Sequence, residues 1–122
     1  MNNLKTELRI GNLVDWDGEI VTITGMYESN NSLPTSFLIR TNLGETHIER
    51  IKPVKLTDEI YRKLGGNFRI DEGWITTDDN GGIYCCDDND QMVFCPPCEF
   101  VHQLQNLYYS LTGNELKCAG LV

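Results

Sequence analysis

An α+β fold is what this sequence predicts, and three observations predict it. Short segments of alternating apolar and polar residues, bounded by Asp, Asn and Gly, fill positions 8–52 and 67–95. A compact segment at 57–65 carries helix punctuation at both ends. Finally, Phe100, Leu104, Leu107, Tyr108 and Leu111 recur at spacings of three and four before Gly113, which describes one face of an α-helix and its stop.

Residues 8–16 and 19–26 read as two strands joined by Asp17-Gly18. Asp-Gly between alternating β-branched segments is a hairpin signal because both turn positions need positive φ. Asn30 to Pro34 reads as a loop, and residues 36–41 and 45–51 form a second hairpin around Asn42-Leu43-Gly44. Four short strands in about fifty residues must curl to hide their edges. The expectation for 8–52 is therefore a small SH3-like antiparallel barrel.

Pro53 ends that unit, and the short helix at 57–65 follows. Thr57 is its N-cap, Asp58 and Glu59 face the positive end of the dipole, Arg62 and Lys63 the negative end, and Gly65 takes the left-handed stop. Leu56 and Tyr61 stand where a hydrophobic staple would. Segments 67–70, 73–77, 82–86 and 91–95 then make a meander, turning at Asp79-Asn80-Gly81-Gly82 and Asp87-Asp88-Asn89-Asp90. Its apolar face needs a cover, and the C-terminal helix is the amphipathic element left to supply one. A chain of 122 residues suits a single domain, 1–122, built from the barrel-like part, the short helix, and a 67–122 part holding meander and terminal helix.

Composition is ordinary for a globular chain, with 40% hydrophobic and 23% charged residues, so wholesale disorder is not expected. The net charge of -8 argues against direct nucleic-acid binding, which needs clustered Lys and Arg to displace counterions. The carboxylates gather at Asp71-Glu72, Asp78-Asp79 and Asp87-Asp88-Asn89-Asp90. They serve solubility, or they form a patch that docks on a basic protein surface. The start of the chain has no apolar signal core and no window reaches membrane-span length, which predicts a soluble, cytoplasmic protein. Five cysteines without a secretion signal predict reduced thiols.

Cys95-Pro96-Pro97-Cys98 lies between an apolar strand and a helix start, an arrangement that lowers thiol pKa in redox enzymes. The surrounding pattern lacks the βαβ unit a thioredoxin fold requires. Zinc is the alternative, with Cys85, Cys95 and Cys98 as ligands and Cys118 or His102 as a fourth. Adjacent Cys85 and Cys86 point to opposite strand faces, so one of them joins at most. Small semi-apolar side chains filling strand positions explain the same cysteines without a cofactor. Asp87 to Asp90 lacks the alternating ligands and closing Glu of an EF-hand and reads as a polar turn. His102 reads as a packed helix residue, and His47 shares a solvated strand face with Glu45 and Glu49. Trp16, Trp74, Tyr84, Tyr108 and Tyr109 are core or surface aromatics, and Tyr109, flanking the helix stripe, is the one expected to project outward.

Residues 101–116, Val-His-Gln-Leu-Gln-Asn-Leu-Tyr-Tyr-Ser-Leu-Thr-Gly-Asn-Glu-Leu, resemble the ending of a set of small uncharacterised proteins from Bacteroidetes bacteria and their phages. The opening Leu8-Arg9-Ile10-Gly11-Asn12 and the passage from Ile51 to Glu59 are similar to the same set and fall in matching order. The resemblance implies a phage or mobile-element accessory protein and carries no catalytic residue with it. The expectation is a non-enzymatic protein that binds a protein partner, such as the basic nucleic-acid-binding surface of a host defence complex. Asp78, Asp79, Asp87, Asp88, Asp90 and Tyr109 are its candidate contacts. The other readings are a minor phage structural component and a small zinc or thiol-redox domain.

Overall fold

Among the described residues, antiparallel strands make up most of the first half of the chain, and the second half combines four short strands with two helices. The computed structural model describes residues 4–29, 36–70, 73–77, 83–89, 91–94, 98–118 and 121. The chain divides into two compact units, Met1–Val54 and Lys55–Val122. All strand pairing described in both is antiparallel, so the fold is a strand-rich α+β arrangement.

The first unit begins with the short helix α1 (Leu4–Glu7) and continues through β1 (Leu13–Trp16), β2 (Glu19–Ser29), β3 (Ser36–Thr41), β4 (Gly44–His47) and β5 (Ile51–Pro53). They form a five-stranded sheet in the order β4-β3-β2-β1-β5. Asp17 at φ 53 and Gly18 at φ 90 make the two-residue turn that the Asp-Gly pair dictates, with Trp16 opposite Glu19. β2 is long enough to serve two neighbours, pairing with β1 through Thr22 and with β3 from Ile23 onward, with a register shift between Ile23 and Gly25. At that shift Asn42 closes the gap, its Oδ1 accepting from the Thr22 N–H at 2.8 Å. Leu4, Leu8, Val14, Val21, Ile23, Ile39 and Ile51 form the core of this unit. Each such side chain contributes about 1.5–3 kcal/mol by leaving water.

Two sequence expectations change here. The strand expected over 8–16 starts only at Leu13, because Asn12 captures the backbone before it. Asn12 is fully buried, its Oδ1 accepts from the Arg9 N–H at 2.8 Å, and Gly11 turns the chain at φ 100. The strand expected over 45–51 is broken by a 3-10 turn at Ile48–Arg50, which redirects the chain so that β5 can pair with β1. Glu49 therefore sits in that turn and not on the strand face of Glu45 and His47.

The second unit runs through α2 (Asp58–Lys63), β6 (Phe68–Ile70), β7 (Gly73–Thr77), β8 (Ile83–Asp87), β9 (Met92–Phe94) and α3 (Val101–Thr112). Thr57 caps α2 by accepting from the Ile60 N–H. Its other end is a Schellman motif: the Gly65 N–H bonds Arg62 O and the Gly66 N–H bonds Tyr61 O, with φ 112 and 57 at the two glycines. Leu56 and Tyr61 pack into one cluster, as a staple should.

β6 to β9 form a four-stranded meander in sequence order. α3 covers one of its faces. Leu104 is buried with Phe68, Ile75, Ile83 and Cys85, and Leu107, Tyr108 and Leu111 pack against the same cluster. Phe100, expected on the helix stripe, is instead the extended N-cap residue, and its ring stacks on His102 at 5.8 Å. A phenylalanine cannot accept a capping bond, so Gln103 supplies one: its Oε1 takes the N–H groups of Glu99 at 2.8 Å and Phe100 at 3.1 Å. His102 and Gln105 are buried on α3, the first fully. Gly113 ends the helix at φ 75. Among the described residues, no helix is long and apolar enough to cross a membrane.

Candidate functional site

Period-two alternation decides which side chains of the meander remain available. Ile75, Ile83 and Cys85 point toward α3, so Trp74, Thr76, Tyr84 and Cys86 stand on the opposite face. The register sets Trp74 opposite Cys86 and Thr76 opposite Tyr84. Together with Asn67 these four line a cleft of about 350 Å³. Cys86 is buried at 5%, whereas Trp74 keeps 39% of its surface exposed, so the cleft has a thiol floor and an indole wall.

Asn67 is delivered to this cleft by the glycine-rich end of α2. It holds φ 35, a conformation uncommon outside glycine, and two hydrogen bonds keep it there. Its N–H donates to the Tyr61 hydroxyl at 3.0 Å, and its Oδ1 accepts from Thr76 Oγ1 at 2.7 Å. The Tyr61 hydroxyl in turn donates to Ile75 O at 3.3 Å. Burial pushes the Tyr61 phenol above its ordinary pKa, which keeps it a donor.

Beside the cleft, Arg69 lies opposite Trp74 on β6 and stacks on the indole, its guanidinium carbon 5.2 Å from the ring centroid. Asp88 holds the same guanidinium through a short hydrogen bond to Nη1. Asp88 is thus engaged within the chain. So is Asp87, whose Oδ1 accepts from the N–H groups of Asn89 and Gln91 and fixes the β8–β9 turn. Asp78, Asp79 and Asp90 lie outside the described residues. Tyr109 projects with 46% of its surface exposed from α3, the helix that covers the face opposite the cleft.

The cysteines divide between core and margin. Cys85 is buried among Ile75, Ile83 and Leu104, and Cys98 packs at the edge of that cluster. Burial, and then the neighbouring Cys85, push the Cys98 thiol up to about 11, and burial does the same to Cys118. A redox thiol needs the opposite shift. Cys95 lies outside the described residues. Among the described residues no group of three or more His, Cys, Asp or Glu side chains gathers as metal ligands.

The first unit carries a smaller constellation of the same kind. Glu45 Oε2 accepts from the Tyr27 hydroxyl at 2.7 Å and from Arg40 Nε at 3.2 Å, while the Arg40 guanidinium sits 5.4 Å from the Tyr27 ring centroid. The Tyr27 hydrogen bond, then that of Arg40, hold the Glu45 carboxyl below its ordinary pKa. Trp16 has core duty instead, packing against the apolar cluster with its ring over Gly44.

Sequence reasoning groups Trp74 and Tyr84 with Trp16, Tyr108 and Tyr109 as aromatics able to line a binding surface, gives most of them core duty, and does not single out this pair. The alternation along β7 and β8 holds the signal, but the register that pairs them depends on the connection between the strands. No protein-family model, curated protein or solved structure matches the chain.

Proposed function

We propose that this chain is a non-enzymatic interaction protein that binds a protein partner through the face of the meander sheet turned away from α3. The observation that carries this reading is the cleft itself, where an indole and a phenol flank a fixed carboxamide and no element of the second unit's described core covers them. Aromatic side chains with limited rotamer freedom are efficient contact surface, and they dominate the energetics of protein interfaces. The acidic side chains add long-range attraction for a basic partner. Asp87 and Asp88 contribute to it while holding the turn and Arg69 in place.

The reading extends to the first unit, which we take to be a small SH3-like barrel. Three features support it: the strand order, the long β2 shared between two neighbours, and the 3-10 turn that feeds β5 back to β1. A reducing bacterial cytoplasm suits the free thiols of Cys85, Cys86, Cys98 and Cys118. The resemblance of the C-terminal run supports a phage or mobile-element accessory role, for which a host complex with a basic nucleic-acid-binding surface is the fitting target.

Affinity capture from bacterial host cells tests the reading when paired with variants. Capture of a partner should fall severalfold with Trp74→Leu and stay unchanged with Tyr109→Ala. A partner retained by Trp74→Leu and lost with Tyr109→Ala would move the interface to α3.

A further inference from the structure

Within the reading of the meander face as a partner surface, we propose that its cleft seats an arginine side chain of the partner, with the guanidinium lying flat between Trp74 and Tyr84. The spacing of the two aromatics supports this. Trp74 pairs with Cys86 and Tyr84 with Thr76, so Trp74 and Tyr84 are diagonal neighbours on one sheet face. Diagonal neighbours stand about 7 Å apart. That is backbone spacing, within reach of both side chains, and van der Waals contact takes about 3.5 Å on each side of a planar group, so two rings rising from these positions can take one flat cation between them.

The lining supplies acceptors as well as rings. Thr76 donates its hydroxyl proton to Asn67 Oδ1, which leaves acceptor capacity on Thr76 Oγ1, on Asn67 Oδ1 and on the Tyr84 hydroxyl, three groups of the cleft lining that suit a guest with donors only. The Asn67 backbone is held by Tyr61 and its carboxamide by Thr76, so the acceptor is in place before a guest arrives. A cleft of about 350 Å³ suits one long side chain and its approach path.

Charge selects the guest. Between positions 67 and 92 the sequence has seven acidic residues and a single basic one, Arg69. That one cation is already matched by Asp88. Arg69 also demonstrates the chemistry in place, since the same indole and an adjacent carboxylate hold its guanidinium. A lysine ammonium could use the field of the carboxylates, but it has no flat face to present to two rings.

The experiment uses the full chain and a capped glycine-serine peptide carrying three arginines, compared with its lysine, citrulline and glutamate counterparts. Binding is followed by the indole N–H resonances of Trp74 and Trp16 in a titration. The expected result is saturable movement of the Trp74 signal by the arginine peptide. Affinity should be about fivefold to tenfold weaker for lysine and for Trp74→Leu or Tyr84→Leu protein, with nothing resolved for citrulline or glutamate. Circular dichroism and the thermal midpoint of each variant separate lost binding from lost fold, and Thr76→Val gives a second variant that keeps both rings.

Three results overturn the proposal: equal affinity for arginine and lysine peptides with no effect of Trp74→Leu, which is diffuse attraction to carboxylates; equal binding of citrulline; or no movement of Trp74 at millimolar peptide. If capture of a partner still depends on Trp74 while the arginine peptide fails, the guest assignment falls and the partner surface stands. If capture ignores Trp74, the surface itself falls whatever the peptide does.

Discussion

At the scale of single residues, two glycines with different surroundings show what the backbone demands. A Cβ at Gly73 would stand 1.9 Å from the Cys86 carbonyl oxygen, whereas one at Gly18 meets nothing within 4 Å. Gly73→Ala must therefore push β7 and β8 apart, and we expect it to cost about 3 kcal/mol or more. Gly18→Ala suffers only from its positive φ, about 1 kcal/mol. Urea denaturation of both variants measures the difference, and equal costs would mean that the β7–β8 contact yields freely. The thiols give a second test. Cys98 and Cys118 move from the ordinary 9.0 to about 11 on folding, so the folded state holds these protons more tightly than the unfolded chain. The stabilisation this represents is complete below pH 9 and is lost as pH rises toward 11. Unfolding midpoints recorded across that interval should fall, and Cys98→Ser with Cys118→Ser should flatten the fall. Both units also pair an arginine with an aromatic ring and a carboxylate, Arg40 with Tyr27 and Glu45, Arg69 with Trp74 and Asp88. In each case a strand-face cation is neutralised locally.

At the scale of elements, α3 shares the burial of the meander with α2, whose Tyr61 and C-cap residue Leu64 join the same cluster. Leu104 has no exposed surface and sits among Ile75, Ile83 and Cys85. Leu104→Ala should destabilise the protein by about 2–5 kcal/mol, read as a lowered thermal midpoint with added exposure of apolar surface to a hydrophobic dye. α2 and α3 are legible in the sequence because their punctuation is local: Thr57, the Gly65-Gly66 pair and Gly113 each act within one turn, whereas the four-residue α1 has no such signal and is not expected from the sequence. The hairpin at Asp17-Gly18 is legible for the same reason. What escapes a sequence reading depends on partners distant in the chain. Asn12 stops β1 from starting at Leu8 through bonds to Arg9 and to β2, and the 3-10 turn at Ile48–Arg50 exists because β5 must reach β1. Phe100 fits the helix stripe by its spacing, and only the reach of Gln103 shows where the helix begins. The candidate cleft is half legible: alternation fixes the face of Trp74 and Tyr84, and the strand register fixes that they are diagonal neighbours.

At the scale of the whole molecule, charge and cleft act over different distances. The net charge of -8 sets a field felt across about 8 Å at physiological salt; in the proposed function this field would speed encounter with a basic partner and the rings would decide what stays. Added salt should therefore slow association more than it speeds dissociation. The corner between α2 and β6 carries one more consequence. Gly65, Gly66 and Asn67 are three successive residues at positive φ, 112, 57 and 35, and the last of them is a wall of the cleft. The Tyr61 hydroxyl that holds the Asn67 backbone belongs to α2, so one of the two bonds that fix the wall depends on that helix, while the other comes from Thr76 on β7. Within the proposed function, unwinding of the six residues of α2 would loosen the cleft through Tyr61, the helix residue that bonds Asn67. Apparent affinity scales with the fraction of molecules in the closed form. On the proposed function, Thr57→Ala, a change at the far end of α2, should weaken binding at the cleft in proportion to the unwinding it causes, as paired amide-exchange and affinity measurements would reveal: the helix cap would then be a remote dial on recognition.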